Sequence, residues 1–266
     1  MESPRIMSKK AVRLGIISAL QEEQAGLIAQ MRDAQILTRG MRNYVQGKLW
    51  ETDCVCVLSR LGKVASATTA ATLIERFDVT HLVFTGVAGS ADPFVKIGDI
   101  VIADYLVQHD MDTRPLFPRF EIPLTGLSKF PSELKLSAQL EQAAQQFLEM
   151  DLTQKISDSE RKKLQISEPR VHRGLIASGD EFISSAARLQ QLKKHFPDLL
   201  AVEMEGAAVA QVCFEFGIPF SVIRTISDGA NEDSAVNFME FIQQVASVYA
   251  FHIIRRFCGS LPAQGC

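Results

Sequence analysis

Apolar positions along the chain fall into short, dense runs separated by longer amphipathic stretches. Val12–Ala19, His81–Thr85, Ile100–Val107, Val171–Ala177 and the run that follows Pro219 are compact and largely β-branched or aliphatic, the pattern of strands covered on both faces. Tyr44–Leu49 and Cys54–Ser59 alternate instead, and Glu51-Thr52-Asp53 between them reads as a turn joining two paired strands. Helical spacing occupies the intervals: Gln21 to about Met31, Val64–Phe77, Glu133–Leu148, a short helix ending near His195, and a run through Phe216 that stops at Gly217-Ile218-Pro219. A mainly apolar helix, Phe238–Phe257, closes the chain. Strands alternating with helices predict a doubly wound mixed α/β sheet with helices on both faces.

Two stretches break this rhythm. Thr113–Pro131 carries Pro115, Pro118, Pro123 and Pro131 among Phe117, Phe120 and Phe130, which excludes regular helix or central strand. Its phenylalanines need cover, so a substrate lid and a subunit interface are both open readings. Asp151–Arg170 is polar and charged and reads as an exposed excursion. With no internal repeat and no dividing linker, residues 1–266 are read as a single domain, with 1–11 an N-terminal extension and 113–170 an atypical insertion.

Composition narrows the function classes. With 47% apolar and 22% charged residues, the 266-residue chain can bury a sizeable core. A formal net charge of −3 without a long basic run argues against nucleic-acid and anionic-membrane partners. No apolar run reaches the ~18 residues of a membrane span. Lys9-Lys10 precede the first apolar run, but Arg13 interrupts it and no small-residue cleavage site follows, so it reads as a strand rather than a signal peptide. The five cysteines show no metal spacing and read as reduced thiols of a cytoplasmic protein. Neither cofactor nor metal is expected.

Candidate chemistry concentrates between Ala201 and Ala230, where Glu203, Glu205 and Asp228 sit at the ends of apolar strands. In open α/β sheets ligands bind at the carboxyl ends of strands, so these acids are placed for chemistry. Elsewhere the residues alone leave alternatives. Glu22 and Glu23, in the first turn of a helix, complement its dipole. Gly86-Val87-Ala88-Gly89-Ser90 is either a tight turn or a close backbone approach to a ligand. Phe182-Ile183 is either core packing or a stacking shelf. Gly62-Lys63 lacks the earlier glycine and the following Ser or Thr of a phosphate loop. His109-Asp110-Met111-Asp112 lacks a further ligand at metal spacing and reads as a hydrogen-bonded strand terminus.

Five segments, taken in order, resemble the 5′-methylthioadenosine/S-adenosylhomocysteine nucleosidases of the nucleoside phosphorylase superfamily: Gly15–Glu23, Thr85–Gly89, Lys96–Val101, Gly174–Ile183, and Ala201–Gly206 with Arg224–Asp228. The resemblance implies a nucleoside phosphorylase-like fold, a homodimer, and hydrolysis of the N-glycosidic bond of both nucleosides to adenine and a thioribose. It implies Asp228 as the general acid at adenine N7 and, against the dipole reading, Glu23 as the group that activates water. Glu205 would bind the ribose hydroxyls and stabilise a cationic sugar, Met204 pack on the ribose, and Phe182 stack on adenine. Ile183 and Gly89 match positions of backbone contact, Ser227 orients Asp228, and Glu203 counts among the substrate-contacting residues. Arg224 either balances the acids and holds water or forms a structural salt bridge. Val87 replaces a frequent serine, Glu181 a small residue, and the 113–170 region matches poorly. Alternatives are a futalosine or 6-amino-6-deoxyfutalosine hydrolase, another purine nucleosidase or phosphorylase of the same fold, and a nucleoside-binding protein without catalysis.

Overall fold

The computed structural model describes residues 12–231 and 233–261, so the expected extension at 1–11 and Cys266 lie outside the described residues. The chain begins with β1 (Leu14–Ser18), α1 (Gln21–Ala29), β2 (Arg32–Arg39), β3 (Arg42–Leu49), β4 (Thr52–Leu58) and α2 (Lys63–Phe77). It continues through β5 (His81–Ser90), β6 (Ile100–Gln108), β7 (Lys129–Pro131), α3 (Leu134–Met150), α4 (Leu152–Lys155) and α5 (Asp158–Lys163). The remainder is β8 (Val171–Ser178), α6 (Ala186–His195), β9 (Leu199–Glu203), α7 (Gly206–Phe216), β10 (Phe220–Asp228), α8 (Ser234–Phe241), a π-helical turn (Ile242–Ala246) and α9 (Ser247–Ser260).

Among the described residues, ten strands form one mixed sheet in the order β10-β6-β8-β9-β5-β1-β4-β3-β2, with β7 on β6. The sheet also curls on itself, because β10 pairs with β5 as well as with β6. Both faces are covered. Leu14 and Ile16 of β1 join a core built with α1, α3 and α9, while Ile17 faces one built with α2 and α7. Double coverage is why the strands read as continuous apolar runs rather than as alternation. Gly217, in the left-handed region at φ 66°, ends α7 where the Gly-Ile-Pro turn was expected.

The placement of the site follows from one long strand. On one edge β5 pairs with β1 only as far as Thr85, and β9 joins antiparallel from Gly89. The carboxyl ends of β1 and β9 therefore converge on Gly86–Ala88, bringing Ala19-Leu20 toward Glu203–Glu205. The Gly86–Ser90 stretch is thus strand rather than turn. Its small residues let two strand ends and β10 crowd against one backbone.

Three further elements differ from the sequence reading. β2 is exposed throughout, so it shows no buried periodicity; pairing with β3 makes it a strand. The Asp151–Arg170 segment is not a solvated excursion: Leu152, Ile156, Leu164 and Ile166 are buried in the main core. Its charged residues lie between these anchors on two short helices, the second closed by a Ser157–Glu160 capping box. The final helix begins earlier than expected, at Ser234, and passes through the π turn. In the Pro-rich stretch, Phe120 packs on the rings of His195 and Phe196 of its own chain, at 5.3 and 4.7 Å.

Candidate active site

A cavity of about 360 Å³ opens where the strand ends converge, within the ~300–1,000 Å³ range of small-molecule sites. Its floor is Gly86–Gly89 of β5, and Glu203–Glu205, Arg224, Ser227 and Asp228 form one side. Phe182 and Ile183 come from the loop after β8. Every predicted site residue except Glu23 lines this space.

Glu23 stands immediately behind the wall. A methyl group at Gly86 would lie 3.4 Å from Glu23 Oε1 and 3.3 Å from Arg224 Nη1. The helix start folds the carboxylate back on its own entry turn, where Oε2 accepts from the Ala19 and Leu20 amides at 3.2 and 3.1 Å. Oε1 is buried without a partner. Loss of hydration raises the pKa to about 7, against the opposing pull of the Leu20 amide and Arg224. Glu22, its neighbour, is exposed.

Asp228 sits at the other end of the same strand edge. β10 shifts register against β5 between Ile226 and Asp228, a bulge of the kind that re-aims a side chain. Asp228 Oδ1 accepts from the Ala230 amide at 2.9 Å and Oδ2 from Ser227 Oγ at 2.8 Å. Burial raises its pKa despite these donors. A Cβ on Gly89 would stand 2.9 Å from Asp228 Oδ1, so glycine is required for the acid to reach the cavity.

Glu203 and Arg224 bind mainly each other. Arg224 is fully buried, with Nη2 and Nε 2.6 and 3.2 Å from Glu203 Oε2. Its Nη1 donates to the carbonyls of Phe84 and Ile223, both at 3.0 Å, and the guanidinium lies 4.1 Å over the Phe84 ring. Glu203 accepts in addition from the Glu205 and Gly206 amides and from Ser178 Oγ. It caps the amino end of α7 while anchoring the arginine. Glu205 is less well supplied: Oε1 accepts from the Gly62 amide at 2.8 Å, and burial, reinforced by Glu203, lifts its pKa to about 8.

The remaining residues shape the walls. Phe182 is 43% exposed and meets Phe238 of α8 edge-on at 5.7 Å, whereas Ile183 is buried in a satellite core. Val87 packs against the main core and Met204 lines the cavity. Leu20, Leu61 and Phe238 also line it, although the sequence reading gave them no role; an apolar residue beside a turn or within a helix carries no local signal. The Gly62-Lys63 pair did attract notice, and its backbone does bind a carboxylate oxygen, that of Glu205 rather than of a ligand.

Residues 13–258 match the family model of the phosphorylase superfamily. A relative from Shewanella sp. (strain W3-18-1), a 5′-methylthioadenosine/S-adenosylhomocysteine nucleosidase, is 36% identical over 231 residues, covering 87% of this chain and 92% of its own. The chain belongs to this nucleosidase family. The structure of the nucleosidase from Colwellia psychrerythraea 34H in complex with adenine superposes with a TM-score of 0.84 at 32% identity, over 96% of this chain and 98% of that one. That of the Streptococcus pneumoniae nucleosidase with the transition-state inhibitor MT-ImmA gives 0.78 at 32% identity, over 92% and 98%. These superpositions show the nucleoside phosphorylase fold, and no metal-holding group of His, Cys, Asp and Glu occurs among the described residues.

Proposed function

We propose that this protein hydrolyses 5′-methylthioadenosine and S-adenosylhomocysteine to adenine and the corresponding thioribose, with Asp228 as general acid and Glu23 as the base that activates water. One observation carries the assignment of roles. Glu23 Oε1 stands behind Gly86 and Asp228 Oδ1 beside Gly89, and these two cavity-lining glycines lie three residues, about 10 Å, apart along one strand. In this reading the water, the anomeric carbon and the adenine base lie between the two positions.

The chemistry follows from the two environments. Burial favours a protonated Asp228, which donates its proton to N7 as the bond from C1′ to N9 breaks and its electron pair enters the purine. Water attacks C1′ of the oxocarbenium-like sugar and passes a proton to Glu23, whose Oε1 has no other partner. Loss of that proton from Glu23 and uptake of one by Asp228 restore the starting state. Ionised Glu205 accepts from the ribose hydroxyls and stabilises the developing positive charge; the cation in turn pulls its raised pKa back down. Phe182 stacks on the adenine, Met204 packs on the ribose, and the backbones of Ile183 and Gly89 contact the substrate. Glu203 acts through Arg224, which it holds beside Gly86.

The same acids separate hydrolysis from phosphorolysis. Each ionised carboxylate a few ångströms from a phosphate would repel it by about 1–3 kcal/mol, and Arg224 is already engaged by Glu203. Adenine release from 5′-methylthioadenosine, followed with and without inorganic phosphate, tests the reading: the rate is expected to be independent of phosphate, and a phosphate requirement overturns it. We further infer a homodimer, supported by the exposed apolar side chains of Leu61, which lines the cavity, and of Val64, three residues further on. A cytoplasmic setting is supported by free, buried Cys54, Cys56, Cys213 and Cys258.

A further inference from the structure

The Gly62-Lys63 pair and the His109–Asp112 cluster, far apart in sequence, meet next to the cavity-lining Leu61 and Glu181. Lys63 Nζ lies 2.7 Å from Asp110 Oδ1 and 3.1 Å from Gln108 Oε1. The other oxygen of Asp110 accepts from the Asp180 amide at 3.0 Å, and Asp180 Oδ1 accepts from the Lys63 amide at 2.8 Å. These contacts close a ring through Lys63, Asp110 and Asp180, joining the start of α2, the end of β6 and the loop after β8.

Each corner of the ring adjoins something the site uses. Gly62, beside Lys63, donates to Glu205. Asp180 lies two residues before Phe182, whose half-exposed ring touches Phe238 but is not fixed by burial. His109, beside Asp110, lies against Gly179, where a Cβ would come 2.3 Å from the imidazole; the loop can approach only as glycine. An apolar core holds Ile183, but polar contacts fix the turn leading to the aromatic shelf.

We propose that Lys63 is a positioning residue that sets the separation between the purine shelf at Phe182 and the ribose-binding Glu205. The ammonium bridges β6 to α2 through Asp110, and the peptide of the same residue holds Asp180. A ligand that must touch both walls therefore meets them at a preset distance. Without the ammonium, Asp110 at the end of β6 loses its tether to α2 and the shelf loop keeps only the amide contact to Asp180, and the cost falls on ligand binding rather than on proton transfer at Glu23 or Asp228. This proposal rests on the nucleosidase reading of the cavity.

The test replaces Lys63 by Met, which keeps the stem and the amide but removes the charge, and Asp110 by Asn, singly and together. In Lys63→Met, KM for 5′-methylthioadenosine should rise, and adenine affinity by calorimetry should fall, each about tenfold, while kcat stays within about threefold. Amide hydrogen exchange over residues 179–183, measured without ligand, should quicken about tenfold. Asp110→Asn should reproduce these changes, and the double variant should be no worse than either single one. Lys129→Met, which breaks an exposed pair with Asp198, should leave all three readouts unchanged. A lower melting temperature with unchanged KM, adenine affinity and exchange would overturn the proposal, as would strictly additive losses in the double variant. Failure of the nucleosidase reading would appear in the wild type; failure of the positioning role appears only in the variants, and exchange reads it whatever the substrate.

Discussion

Glu203 and Glu23 are both buried glutamates near Arg224, yet the fold treats them oppositely. Glu203 receives two contacts from the guanidinium, two backbone amides and a hydroxyl. Glu23 receives two amides on one oxygen and nothing on the other. A fully supplied buried carboxylate is structure; a half-supplied one is poised to take a proton. The frustration sits where the proposed chemistry needs it, and Glu203 and Arg224 provide the frame around it.

The strongest way to break the contrast is to remove the acids proposed to react and compare them with the frame. Asp228→Asn is expected to lower kcat for adenine release by about 10²–10⁴-fold, the range for loss of a general acid, without loss of thermal stability. Glu23→Gln should cost a similar factor. Glu203→Ala should act on folding instead: stranding a buried arginine costs about 3–5 kcal/mol, measurable by urea denaturation, and turnover should fall with it.

A finer comparison uses pH. A carboxyl whose folded pKa lies above its unfolded value binds protons more tightly in the native state, so stability falls as pH rises between the two. For Glu23 that window runs from the unfolded value near 4.5 to the folded value of about 7, with a slope of at most about 1.4 kcal/mol per pH unit. Unfolding free energies of Glu23→Gln and wild type should therefore diverge in favour of the variant as pH rises from 5 to 7, then run parallel. The Glu23 ionisation should also give kcat/KM an acid limb centred near 7. The smallest effect is expected at the walls: Phe182→Ala removes stacking worth about 1–3 kcal/mol per base, raising KM more than it lowers kcat, as measured with 5′-methylthioadenosine.

Much of this was legible because burial leaves a mark on neighbouring residues. Glu203, Glu205 and Asp228 stood out as acids at the ends of apolar runs, and the strand-and-helix alternation made the sheet readable. Glu23 carried no such mark: an acid in a first helical turn is ordinary, and only the resemblance of Gly15–Glu23 to a family singled it out. Leu20, Leu61 and Phe238 were invisible as site residues, because their role depends on which loops meet over the cavity. The Asp151–Arg170 segment misled for a related reason. Its buried anchors, Leu152, Ile156, Leu164 and Ile166, are too widely spaced among charges for a local window to detect.

By itself the amino-acid sequence determined which segments are strands and helices with two covered faces, and which carboxylates lie at their ends. Those are properties of neighbours along the chain: periodicity, turn residues, and the cost of burying charge. The tertiary structure alone decided that β5 runs on through Gly89, that β1 and β9 end opposite the same glycines, and that Arg224 belongs to Glu203. It also decided that one oxygen of Glu23 is left without a donor. Those outcomes depend on contacts between residues from about twenty to more than a hundred positions apart, and a donor withheld by the fold leaves no trace in the local order of amino acids.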